Sequence, residues 1–255
     1  MYPDNETGFL AVTTTEMQEG ISMKICVFGV SDFPFGKKAL PEPRLKKIEE
    51  LYKAQKVTQI QVEFVTEKDL KTADAIVCPE GKRLDLLILD MEVLEGKLER
   101  QPPQQEKTLL ERAQKYLEKE TPLSLGDFSL DEKKWLANNN FVSIKPVVFV
   151  PEAQMTDIAS VTRKAYDEAG MICFLTGGTK EARAWEIRRG ATAVEAADAI
   201  HSDIARGFIR AEVMDYDALV KTGNVHQAKS SGVLRQEGKD YVVKDGDVME
   251  FKFSV

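Results

Sequence analysis

Apolar positions along the chain fall into short runs whose period changes repeatedly. Residues 24–30 (KICVFGV) form a nearly continuous apolar run ending at Gly29 and Val30, the texture of a buried strand. Residues 59–65 (QIQVEFV) alternate polar and apolar, as a strand with one covered face does. Residues 75–78 and 145–150 add two further apolar pieces, the second (KPVVFV) reading as a core strand. Between these runs the period lengthens. Residues 44–53 follow Pro41 and Pro43 and place Leu45, Ile48, Leu51 and Tyr52 on one helical face. Residues 83–100 and 104–120 set Leu87, Met91, Leu94 and Leu98, then Leu109, Leu110, Ala113 and Leu117, at helical spacing. Gln101-Pro102-Pro103 breaks the helix between them, which predicts a helical hairpin over 83–120 with charged outer faces. It reads first as an arm packed on itself and second as a partner-binding arm. Ser129 and Glu132 make a capping-box pattern for a short helix through Trp135, and a helix over 156–169 closes at Gly170.

From Met171 the texture changes. Residues 172–176, 183–187 and 208–214 read as strands, and Arg183 and Trp185 are taken to face opposite sides of theirs. Thr192 and Glu195 cap a helix through Ile200, and Asp215 caps another that Gly223 ends. Residues 241–243 and 248–253 are predicted to pair as a hairpin around Lys244-Asp245-Gly246-Asp247. Strands wrapped on one helix in this order suit a small β-grasp unit. The predicted organisation is an extension over 1–22, an α/β domain over 23–170 and a second domain over 171–255.

Composition narrows the function classes. With 43% hydrophobic and 30% charged residues among 255, the chain is long enough for one large or two ordinary globular domains. A net charge of −7 argues against binding a polyanion by bulk field, and no DNA partner is expected. No apolar stretch approaches a membrane span, and residues 1–22 lack the basic start and apolar core of a secretory signal. Met23 is a plausible first residue of the fold. Cys26, Cys78 and Cys173 stand far apart in apolar surroundings, which reads as buried thiols in a reducing cytoplasm, with no metal or disulfide framework. His201 and His226 lack partners at metal spacing, and His201 reads as a helix end where positive charge suits the dipole. No metal site and no catalytic residue is assigned.

The phosphate-loop pattern G-x-x-x-x-G-K-S/T is only approached. Gly29 and Gly36 have six residues between them, Lys37 follows, and Lys38 stands where a hydroxyl would hold Mg²⁺. Gly29, Gly36 and Lys37 are the candidate nucleotide-binding residues, set against an ordinary loop that ends before Pro41. The basic candidates for an RNA or partner surface are Lys180, Arg183, Arg188, Arg189, Arg206 and Arg210. From Met171 onward 12 Lys and Arg face 13 Asp and Glu, so such a surface must be a patch made by folding.

The segments RAWEIRRG, HSDIARGFIRAEVM and EGKDYVVKDGDVMEFKF resemble the C-terminal TGS domain of the YchF family, the Obg-like ATPases. LPEPRLKKIEELYKAQKVTQIQVEFV resembles that family's segment after its first switch region, DMEVLEGKLER an arm of its coiled-coil insertion, and LSLGDFSLDEKKWLANNNFVSIKPVVFV the return into its nucleotide-binding core. The resemblance implies a fold of α/β class: a reduced P-loop-NTPase-like parallel sheet with a helical-hairpin insertion, followed by a β-grasp TGS domain. It also shows what is missing. After VEFV the switch D-x-x-G is replaced by Thr66-Glu67-Lys68. After KPVVFV the base-recognition motif is replaced by Pro151-Glu152-Ala153-Gln154. The one D-x-x-G, Asp167 to Gly170, reads as a helix stop. The family association implies the ribosome, RNA or a translation factor as partner. Two functions follow: a non-hydrolysing binding protein without cofactor, or a divergent NTPase holding residual ATP or GTP with Mg²⁺ through Lys37.

Overall fold

The computed structural model describes residues 22–254; the predicted extension, apart from Ser22, lies outside the described residues. Two sheets organise the chain. The first has the order β2-β4-β1-β5-β6, built from β1 (Met23–Val27), β2 (Gly36–Leu40), β4 (Ile60–Val65), β5 (Ala75–Pro79) and β6 (Val147–Val150). Strands β1, β4, β5 and β6 run parallel, and β2 lies antiparallel on the β4 edge. Every residue of β5 is buried, which fits its uninterrupted apolar sequence.

The second sheet has the order β10-β9-β11-β7-β8-β3. Its strands are β3 (Lys56–Thr58), β7 (Met171–Gly177), β8 (Glu181–Arg188), β9 (Phe208–Met214), β10 (Arg235–Glu237) and β11 (Val248–Phe253). The hairpin β7–β8 is antiparallel, while β11 joins β7 in parallel and β9 antiparallel. Helix α6 (Ala193–Ile200) packs on one face of this sheet through Ala193, Ala196 and Ala197, beside Phe174, Trp185 and Met249. Its start carries the reciprocal Thr192–Glu195 capping box.

Helices α1 (Arg44–Tyr52) and α5 (Ile158–Glu168) pack between the sheets. Leu45 and Ile48 from α1 and Val161, Ala165 and Tyr166 from α5 share one buried cluster with Ile25, Phe64 and Val77 from the first sheet and Leu175, Ala184 and Val248 from the second. The core therefore crosses the sequence boundary at Gly170. Helices α2 (Arg83–Leu98) and α3 (Gln104–Leu117) pair through Leu87, Leu94, Leu109, Leu110, Ala113 and Leu117, on which α4 (Leu130–Asn138) sets Leu136. Asp90 of α2 is fully buried, and its two oxygens accept the N–H groups of Val142 (2.6 Å) and Ser143 (2.9 Å). Short helices α7 (Ser202–Arg206), α8 (Tyr216–Thr222) and α9 (Val225–Ser230) complete the chain.

Several expectations need correction. Residues 241–243 form no hairpin with β11: Val242 makes a single bridge to Thr192, and β11 runs between β9 and β7. Asp247 instead folds the 244–247 turn onto itself, accepting the Lys244 N–H and the Tyr241 hydroxyl. Arg183 and Trp185 face the same side, being two residues apart, and the guanidinium sits 3.8 Å from the ring centroid. His201 does end α6, but it also begins α7, where its Nδ1 accepts the Asp203 N–H at 3.1 Å.

Candidate functional site

In an open α/β sheet, ligands collect beyond the carboxyl ends of the parallel strands. Here the residues just past β1 and β5 line a cavity of about 320 Å³ formed by Gly29, Val30, Pro79, Gly81, Lys82, Glu152 and Met155. Gly29 has φ +73°, and a Cβ there would lie 2.8 Å from the Lys82 side chain, so a larger residue would be strained and would displace Lys82. Its N–H donates to Glu67 Oε1 at 2.7 Å. Across the cavity the Gly81 N–H donates to Glu152 Oε1 at 2.9 Å. Both donors at this strand end are thus satisfied by carboxylates of the same chain. Backbone N–H groups hold the Glu152 carboxyl below its usual range. The Lys82 ammonium pairs with Asp85 at 2.9 Å, and Arg83 pairs with Glu80 at 2.7 Å.

Gly36 and Lys37 are elsewhere. The chain turns after Gly29, buries Phe33 edge-on against Phe64 (centroids 5.0 Å apart), and enters β2, where Gly36, Lys37 and Lys38 stand opposite Phe64, Glu63 and Val62. A phosphate loop needs consecutive N–H groups converging at a helix start. Behind Gly36 the chain is an extended edge strand, and Lys37 lines a second cavity, not the one at Gly29.

That second cavity, about 670 Å³, runs between the sheets along β8. Met23, Lys37, Gln59, Asp74 and residues 183–188 border it, with Asp198 and Ser202 on the α6–α7 side. Glu186 Oε1 accepts the Met23 N–H at 2.9 Å, whereas its Oε2 is buried without a hydrogen-bond partner. Burial, with a smaller contribution from nearby Asp74, pushes this carboxyl up to about 7 against the pull of the Met23 bond. Arg183 is partly buried on Trp185, and burial lowers its pKa.

The six basic candidates do not converge. Lys180 lies in the β7–β8 turn, and Arg188 ends β8 roughly 25 Å away at about 3.3 Å per residue. Arg188 pairs with Asp74 (3.3 Å), Arg206 with Asp203, and Arg210 lies 3.8 Å from Glu212. Arg188 and Arg189 are adjacent in sequence, the latter donating its N–H to Gly170. Sequence reasoning missed Glu67, Gly81, Glu152 and Glu186. Glu67 and Glu152 sit within the very segments that replace the switch and base-recognition motifs, and that coincidence was the available signal.

Residues 171–254 match the family profile YchF-GTPase_C, described as a protein of unknown function (DUF933). The chain is a relative of the YchF family. It is 37% identical over 145 residues to the ribosome-binding ATPase YchF of Haemophilus ducreyi, an alignment covering 49% of this chain and 40% of that one. Against the Bacillus subtilis protein of the same description, identity is 43% over 102 residues, 40% of this chain and 28% of the relative. Against Obg-like ATPase 1 of Oryza sativa subsp. japonica it is 41% over 132 residues, 51% and 30%. The chain thus spans less than half the length of these YchF-family relatives. Its fold is similar to that of the Schizosaccharomyces pombe YchF GTPase, with a TM-score of 0.75 at 18% identity, over 91% of this chain and 98% of that one.

Proposed function

We propose that this chain is a YchF-like binding protein that does not turn over nucleoside triphosphate, and that it works with the ribosome, RNA or a translation factor in the cytoplasm. The occupied donors at the strand ends carry this reading. Glu67 and Glu152 hold the Gly29 and Gly81 N–H groups where a triphosphate would need them, and two more anionic groups would repel it. The placement of Gly36 and Lys37 on an edge strand supports the same reading, since Lys37 and Gly29 line different cavities. Phosphoryl transfer relies on positioned charge around the transferred group, and each missing charge-assisted contact costs about 2–4 kcal/mol of barrier lowering.

The order β8-β7-β11-β9-β10 with α6 across one face supports reading residues 171–255 as a β-grasp TGS domain. Two observations favour a ribosomal partner: several relatives are described as ribosome-binding, and Arg188 and Arg189 stand together at one end of β8. Among the described residues no helix is long and apolar enough to cross a membrane.

Isothermal titration with ATP and with GTP, each with and without Mg²⁺, tests the first part. No heat of binding is expected up to millimolar nucleotide; micromolar, Mg²⁺-dependent binding would restore the NTPase reading. For the partner, Arg188→Glu combined with Arg189→Glu should weaken co-sedimentation with ribosomes by about tenfold while leaving the circular dichroism spectrum intact. Unchanged sedimentation would remove this patch.

A further inference from the structure

The outer edge of β8 is only half covered. Strand β3 pairs with Glu181, Ala182 and Arg183 and then ends. On β8 the odd-numbered residues turn their main chain toward β7, as the Glu181 carbonyl accepting from Gly178 and the Arg189 N–H donating to Gly170 show. The even-numbered residues therefore turn theirs outward. Past Arg183, no strand among the described residues pairs with the outer edge of β8, and Glu186 and Arg188 border the 670 Å³ cavity there. This is a strand edge of about 13 Å, enough for four or five residues of extended chain. A groove of this volume is within the range of built ligand sites.

We propose that this edge takes up an extended peptide by strand addition, and that the peptide carries a basic side chain for Glu186. The unpaired Oε2 of Glu186 is an acceptor held out of water with nothing donating to it, and burying it is costly until a donor arrives. An ammonium or guanidinium supplies that donor and favours the charged carboxylate. The surroundings agree in sign. Glu195 and Asp198 line the groove together with Glu186, beside the Asp74–Arg188 ion pair, against Lys37 and an Arg183 stacked on Trp185. Main-chain hydrogen bonds would supply affinity and the carboxylate would supply selectivity, the usual division of labour in strand addition. This proposal is independent of the loss of nucleotide turnover, because it uses neither Gly29 nor Gly81.

The test is amide hydrogen exchange by NMR on the full chain, with two capped pentapeptides, acetyl-Thr-Val-Lys-Val-Thr-amide and its counterpart with Glu at the centre. In the free protein the Glu186 and Arg188 amides should exchange fast relative to Trp185 and Ile187. At millimolar Lys peptide their exchange should slow about tenfold, and the Glu peptide should give much less protection. Glu186→Gln, which keeps the fold and an acceptor for Met23, should reduce the preference for the Lys peptide to about twofold or less. Three results would each overturn the proposal: slow exchange of these amides before any peptide is added, no slowing with the Lys peptide, or equal slowing with both peptides.

Discussion

Burial raises the pKa of two carboxylates, Glu186 and Asp90, but their hydrogen bonding differs. Glu186 titrates near 7 in the folded chain, above its ordinary value, so the native state binds the proton more tightly than the unfolded state. Its contribution to stability is complete below about pH 4 and is lost as pH rises through about 7. The expected loss is on the order of 3 kcal/mol, from about 1.4 kcal/mol per pKa unit. Urea unfolding between pH 4 and 8 should show Glu186→Gln flattening this decline, with the variant gaining on wild type at pH 8 and not at pH 4. Asp90 is different because both of its oxygens are used. Asp90→Ala would leave two buried N–H groups without partners and should cost about 2–5 kcal/mol in the same assay. Neither role was legible from sequence, because an isolated Glu in a strand or Asp in an amphipathic helix looks like any solvated charge.

At the scale of elements, periodicity predicted the long helices and the apolar strands well. Strands β2 and β3 escaped it. GKKAL and KVT carry too few apolar residues to show alternation, and they exist because a neighbouring strand supplies the ladder. The turn at Lys244 to Asp247 was correctly read as a turn and wrongly read as a hairpin, since a turn signal does not say which strand comes next to which. Arg44, at the start of α1, ties that helix to the second sheet. Its guanidinium makes two bonds to buried Glu42, at 2.7 and 2.8 Å, and two to Asp245, at 2.9 and 3.3 Å, while Asp245 accepts the Cys173 N–H. Arg44→Ala would strand the Glu42 charge in the interior and should cost about 3–5 kcal/mol, read as a lowered denaturant midpoint.

The whole molecule has one principal core shared by both sheets. The sequence suggested a boundary at Gly170, but the cluster that holds Ile25 and Val77 also holds Cys173, Leu175, Ala184 and Val248. Calorimetry should therefore give one transition whose van't Hoff and calorimetric enthalpies agree within about 10%. Residues 171–255 made alone should lose this shared packing and aggregate or unfold at lower temperature, which light scattering during a thermal ramp would reveal.

Strand β3 belongs to the first third of the chain yet, among the described residues, pairs with β8, more than a hundred residues later. A nascent polypeptide leaving the ribosome must therefore hold that segment, together with the apolar side of α1, open until the last third has been translated. At roughly 5–20 residues per second this wait lasts about 10–40 seconds. Slowing elongation downstream of Gly170 would lengthen the interval in which a chaperone must shield the half-made product.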